Sequence, residues 1–144
     1  MSNSIIKGLG YAHVAIASNN FEKSLAFYQA LGMTIYTQWG EGDARIALLD
    51  MGEGALLELF SKPALNTDKT AGLEDGAPFM HFAFSAEDVD AAYHTALAAG
   101  ATPLIAPKDA PLQSHPVPLT LRVAFVKGPC GEELEFFKAT VREE

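Results

Sequence analysis

The chain has 144 residues, 49% of them apolar, which is enough for one domain with a sizeable core and excludes disorder for its bulk. Ten Lys and Arg against eighteen Asp and Glu give a formal charge of −8, which repels phosphate backbones and anionic headgroups and argues against nucleic acid or a membrane as partner. The single cysteine, Cys130, suits a reducing compartment, and neither a basic leader nor an apolar run of about 18 residues is visible, so a cytoplasmic location is expected.

In chain order, residues 11–17 read as a short apolar strand led by His13. A helix follows, with Asn19 and Glu22 as its expected N-cap pair, Phe21, Leu25 and Tyr28 at helical spacing, and Gly32 at the left-handed position after its end. Strands are expected at 33–39, 45–50 and 55–60. After a polar linker over residues 63–77 the pattern returns. A His81-led strand occupies 79–85, Ser85 and Asp88 are the expected cap pair, and Val89, Tyr93, Ala96 and Leu97 mark a helix that ends at Gly100. Strands at 102–105, 120–127 and 133–138 complete the second half.

The two halves are copies. Shifted by 68, His13-Val-Ala-Ile-Ala falls on His81-Phe-Ala-Phe-Ser; shifted by 77, Gly54-Ala-Leu-Leu-Glu-Leu-Phe falls on Gly131-Glu-Glu-Leu-Glu-Phe-Phe. The nine-residue change of offset lies between Gly100 and Leu121, a stretch holding Pro103, Pro107, Pro111, Pro116 and Pro118, and reads as a surface loop able to cover a site. The expected architecture is α+β: one domain over residues 1–144 made of two β-α-β-β-β units at about 9–62 and 78–138.

Four polar residues stand out at equivalent places in the two units. Alternation along residues 55–60 puts Leu56, Glu58 and Phe60 on one face and Leu57 and Leu59 on the other, so Glu58 is embedded among apolar side chains, as is its mate Glu135. Burying a carboxylate costs several kcal/mol unless a positive group pairs with it. Arg45 and Arg122, also repeat mates, are candidate partners. His13 and His81 taken singly read as structural histidines. The joint pattern reads as a metal centre: pseudo-twofold packing of the halves would gather His13, Glu58, His81 and Glu135, and a divalent cation would neutralise both carboxylates while accepting a nitrogen from each imidazole. Nickel, cobalt, zinc, manganese and iron(II) all suit such donors.

These residues carry a resemblance. The doubled β-α-β-β-β unit, His in the first strand and Glu in the last strand of each half, Phe27-Tyr28 leading to Leu31-Gly32-Met33, and the turn Gly128-Pro-Cys-Gly131 together resemble the vicinal oxygen chelate superfamily. Its members include lactoylglutathione lyase (glyoxalase I), methylmalonyl-CoA epimerase, fosfomycin-resistance proteins and extradiol dioxygenases. A carboxylate at Glu58 beside His13, His81 and Glu135 is closest to the lyase pattern. The resemblance implies a metal-dependent lyase or isomerase acting on a small α-oxo or hemithioacetal-like substrate through a metal-held enediolate. Glu58 and Glu135 would be ligands and candidate bases.

It also implies a homodimer, with ligands drawn from one chain or from two. The same resemblance admits a metal-free binding protein of the bleomycin-resistance type and an iron-dependent extradiol dioxygenase. Where the lyase pattern has Arg and Asn to hold glutathione, this chain has Ala17 and Lys62. Further expected substrate contacts are Arg45, Arg122, Trp39, Phe60 and His115. Cys130 reads as a turn residue.

Overall fold

The computed structural model describes residues 4–5, 11–61, 81–112, 114 and 116–143. The expected linker and His115 lie outside them. Two four-stranded mixed sheets carry one helix each. The first has the order β1 (His13–Ala17), β4 (Ala55–Phe60), β3 (Ile46–Gly52), β2 (Thr34–Trp39), and the second repeats it as β5 (Phe82–Ser85), β8 (Glu133–Val141), β7 (Leu119–Lys127), β6 (Thr102–Pro111). Within each sheet the first and last strands of the unit run parallel and the other pairs antiparallel. The expected α+β architecture of two β-α-β-β-β units is the one found. No described helix is long and apolar enough to cross a membrane.

Helix α1 (Phe21–Ala30) buries Phe21, Leu25, Phe27 and Tyr28, and α2 (Val89–Ala98) buries Val89, Tyr93 and Ala96. They join Leu49, Leu57, Leu59, Val126, Leu134 and Phe136 from the sheets in one core cluster spanning both halves. The alternate strand positions face away from the helices. The N-caps differ from expectation: Asn20 accepts from the Lys23 N–H and Asp88 from the Ala91 N–H. Asn19 accepts instead from the Cys130 thiol, Glu22 pairs with Arg45, and Ser85 ends β5. Gly32 and Gly100 sit at φ +98° and +106°, the left-handed conformation expected after each helix.

The proline-rich insertion is the expected loop only in part, at Pro116 and Pro118 before β7. Ten of its residues form β6, with β7 beside it, and β8 runs to Val141 rather than ending at 138. Prolines fit β6 because it is an edge strand, where a missing N–H costs no ladder hydrogen bond if that side faces solvent. Its register shifts near Pro103 and again before Lys108. The first shift has a counterpart in β2 between Ile35 and Thr37, so the repeat extends to its irregularities.

A hydrogen-bonded seam ties the halves. The buried Tyr28 hydroxyl of α1 donates to Glu132 Oε2 at 2.8 Å, while Glu132 Oε1 accepts from the Cys130 N–H at 2.7 Å. The Cys130 thiol also lies 3.3 and 3.4 Å from the Ser18 and Ser24 hydroxyls. Burial and the Glu132 charge push the Tyr28 phenol well above the ordinary tyrosine range. Tyr28→Phe should therefore cost about 1–3 kcal/mol in urea denaturation at pH 7. Because the folded phenol holds its proton above the unfolded value, wild-type stability should fall as pH rises beyond about 10, more steeply than in the variant.

Candidate functional site

Each half places one imidazole beside one carboxylate. Parallel pairing sets His13 opposite Leu56 and Ala15 opposite Glu58, and sets Ala83 opposite Glu135 in the second half. His13 and His81 therefore lie just off their glutamates on the face turned away from the helices. His13 Nε2 is 3.5 Å from Glu58 Oε1, and His81 Nε2 is 3.4 Å from Glu135 Oε1. The carboxylate side chains are 15% and 16% exposed and the imidazoles 41% and 33%. These are not core histidines: both stand at or just before the start of a strand, with Ala15 and Ala83 leaving the rings uncovered.

The spacing bears on a metal. It is long for a hydrogen bond, and it matches the roughly 3.3–3.4 Å between two donors that each sit about 2.0–2.1 Å from one tetrahedral ion. Two nitrogens and two carboxylate oxygens suit a borderline divalent cation. Within one chain, however, the expected gathering of all four does not occur: among the described residues no three His, Cys, Asp or Glu side chains form a metal-binding group. The pairs belong to separate sheets, and the seam through Tyr28, Glu132 and Cys130 ties the halves together while leaving them apart. A crevice of about 840 Å³ between the halves, lined by residues including Val14, Met51, Phe82 and Phe84, contains none of the four.

The arginines are accounted for elsewhere. Arg45 pairs with Glu22 and lies 4.4 Å over the Phe21 ring, both on the helix side of the first sheet. Arg122 holds Asp90 of α2 through two hydrogen bonds of 2.7 and 3.0 Å and reaches Asp109 at 3.2 Å. Neither is the partner of Glu58 or Glu135, and both tie helix to sheet. Lone-residue reasoning could not decide this, but α-helical Glu22 and Asp90 falling near strand arginines in both halves was available as a repeated signal. Trp39 and Phe60 do lie on the face of the His13–Glu58 pair, since Trp39 is opposite Ile46 and Ile46 opposite Phe60. On the other half Phe125 and Phe137, which sequence reasoning did not single out, flank Glu135, and the Phe125 ring meets His81 edge to face at 5.4 Å.

The Arg122 guanidinium holds the Asp90 carboxyl below the ordinary carboxylate range. A lowered folded value gives stability that is present above about pH 4 and lost as pH falls through the folded pKa. Arg122→Met should flatten that acid limb in denaturation curves taken from pH 2 to 6, with activity on any substrate little changed.

The comparisons agree with this fold. The sequence model described as "Glyoxalase/Bleomycin resistance protein/Dioxygenase superfamily" matches residues 10–136. No curated protein matches significantly in sequence. The fold is similar to the crystal structure of UcmS2, at 19% identity over 90% of this chain and 97% of that one, with a TM-score of 0.65. TioX from Micromonospora sp. ML1 is 19% identical over 89% and 98%, with a TM-score of 0.62. A glyoxalase I mutant from Zea mays is 16% identical over 88% of this chain and 43% of that longer one, with a TM-score of 0.59. With the repeated units, the matched register and the family model all covering the same residues, the chain belongs to the glyoxalase/bleomycin resistance protein/dioxygenase superfamily.

Proposed function

We propose that the protein is a homodimeric, metal-dependent lyase or isomerase of the glyoxalase I type, acting on a small α-oxo or hemithioacetal-like substrate. The observation that supports this most is the pair of equivalent imidazole–carboxylate half-sites, 3.5 and 3.4 Å across, at matching register in two copies of one unit. Each supplies half a donor set. A two-fold axis that brings the face of β1 and β4 against the face of β5 and β8 in the partner makes two complete sets per dimer, because such an axis always generates its contacts in duplicate. His13 and Glu58 of one protomer and the partner's His81 and Glu135 would hold the cation.

The bound cation supplies Lewis-acid stabilisation of the charge that builds on a substrate oxygen when a neighbouring C–H proton leaves. The chain's residues do the remainder. The imidazoles hold the ion without adding charge, the apolar flanks exclude water, and one glutamate takes the proton from one carbon and returns it to the next. Nothing is oxidised overall, and the proton taken is the proton returned.

Chelator-treated protein reconstituted with zinc, nickel, cobalt or manganese should bind one ion per chain, and His13→Ala combined with His81→Ala should abolish it. Persistent absence of stoichiometric metal would move the protein to the metal-free binding class. Glu58→Gln and Glu135→Gln should be compared on methylglyoxal with several thiols. One of them should lose about 10²- to 10⁴-fold in turnover while keeping its fold. Catechol cleavage with iron(II), retained in Glu58→Gln, would instead indicate a dioxygenase.

The shared site has its own test. A His13→Ala/Glu58→Ala protein and a His81→Ala/Glu135→Ala protein, each inactive, should regain about a quarter of wild-type activity when unfolded together and refolded, since half of the dimers are then mixed and each mixed dimer has one intact set. No recovery in dimers shown to be mixed would place the site within one chain.

A further inference from the structure

We infer that Glu132 is a positioning residue for the metal centre: held by Tyr28 of the first half and by its own turn in the second, its carboxylate fixes the angle between the two sheets and so the placement of the His13–Glu58 and His81–Glu135 pairs. This rests on the shared-site reading of those pairs. The two units share their donors, but they do not share the seam. At the 68-residue offset Ser18, Ser24 and Tyr28 fall on Ala86, Ala92 and Ala96, and at the 77-residue offset Glu132 falls on Ala55. Asn19 and Cys130, joined thiol to amide, fall on Glu87 and Glu53, two like charges that do not attract. Each polar side chain of the seam is thus matched in the other copy by a methyl group or an acid.

The two crossings differ in the structure as they do in sequence. At the first, hydrogen bonds run from half to half; at the second, Glu53 and Ala55 from one half and Ala86 and Glu87 from the other line the open crevice of about 840 Å³. The core cluster also spans both halves, but apolar contacts are not directional and permit sliding. The seam joins the strands that carry both glutamates. Ser18, whose hydroxyl meets the Cys130 thiol, donates its N–H to the Phe60 carbonyl at 2.8 Å, at the end of the strand of Glu58. Glu132 immediately precedes β8, the strand of Glu135, and its carbonyl accepts from the Gly128 N–H at 2.8 Å. Its side chain is bonded on both sides, to the Tyr28 hydroxyl at 2.8 Å and the Cys130 N–H at 2.7 Å. Such bonds weaken steeply with misalignment, so a carboxylate with one oxygen taken from each half resists both rotation and opening. Donors that must converge within about 0.5 Å would register a change of that angle as lost metal affinity.

Tyr28→Phe removes one of the two bonds, and Glu132→Gln leaves one oxygen for two donors. They are made singly and together, with Val89→Ala, which trims a buried side chain of α2 outside the seam, as the control for lowered stability. In chelator-treated protein, backbone residual dipolar couplings from the two sheets should fit one alignment tensor in wild type and in Val89→Ala, and two different tensors in the double variant. Cobalt should bind the double variant at least about tenfold more weakly and with a changed visible absorption, whereas Val89→Ala should keep both affinity and spectrum. The single variants should show smaller changes of the same sign, and they carry the test if the double variant does not fold. A common tensor in the seam variants, separate tensors with cobalt binding kept, or an equal loss of cobalt in Val89→Ala overturns the inference. Wild-type protein that takes up no cobalt sinks the proposed metal centre instead; separate tensors confined to the seam variants would then leave Glu132 standing as the residue that sets the angle between the sheets.

Discussion

Parallel pairing that sets Ala15 opposite Glu58 and Ala83 opposite Glu135 is the constraint on which the site depends. A slip of one residue in either ladder would turn the carboxylate into the helix-packed face and the neighbouring leucines out into solvent. What prevents the slip is the alternate row. Leu57, Leu59, Leu134 and Phe136 are buried against the helices, at about 1.5–3 kcal/mol each relative to exposure. That is enough to offset the cost of keeping a glutamate mostly dehydrated on the opposite face, so the apolar pattern holds the polar groups in place without touching them.

Duplication gives this arrangement its economy and its incompleteness. One unit supplies two donors and one apolar wall, and the second repeats both with different rings: Trp39 and Phe60 on one side, Phe125 and Phe137 on the other. In the proposed dimer, which sets unlike halves against each other, the two-fold axis makes that contact at two places. On the proposed assembly the aromatic walls can diverge while the four donors stay equivalent, which would separate groups that choose a substrate from groups that hold an ion.

Much of this was legible beforehand because it follows from periodicity. The repeat, the strand faces, the glycines after each helix and the four polar residues are statements about spacing, and spacing is local. The sequence was misleading where tertiary partners decide. Proline density between Gly100 and Leu121 signals a loop, yet an edge strand tolerates proline, and Pro103, Pro107 and Pro111 lie in β6 while Pro116 and Pro118 stay outside the strands. Asn19 and Ser85 satisfied the capping pattern, but the chain turned one and three residues later, at Asn20 and Asp88, because Asn19 was taken by Cys130 and Ser85 by its strand. Arg45 and Arg122 lie on the face opposite the glutamates, a parity that could be counted from Glu58 only once the strand pairing was known.

The relation between the two sheets within a chain is set far from the chemistry and still bears on it. On the proposed assembly four donors from two chains must converge within about 0.5 Å to share an ion, so any looseness between the halves of one chain would spread the set. The seam restricts that looseness with directional groups. Tyr28 and the Cys130 N–H occupy the two oxygens of Glu132, and Ser18 and Ser24 bond each other at 2.7 Å beside the thiol. Gly128 completes it, since a side chain there would collide with the Glu132 carboxylate, which approaches to 2.5 Å of where its Cβ would stand. Apolar packing alone tolerates sliding, because it is not directional. A carboxylate saturated from both halves does not, so on the proposed assembly the turn at 128–132 does for the angle between sheets what the leucine row does for the register within them.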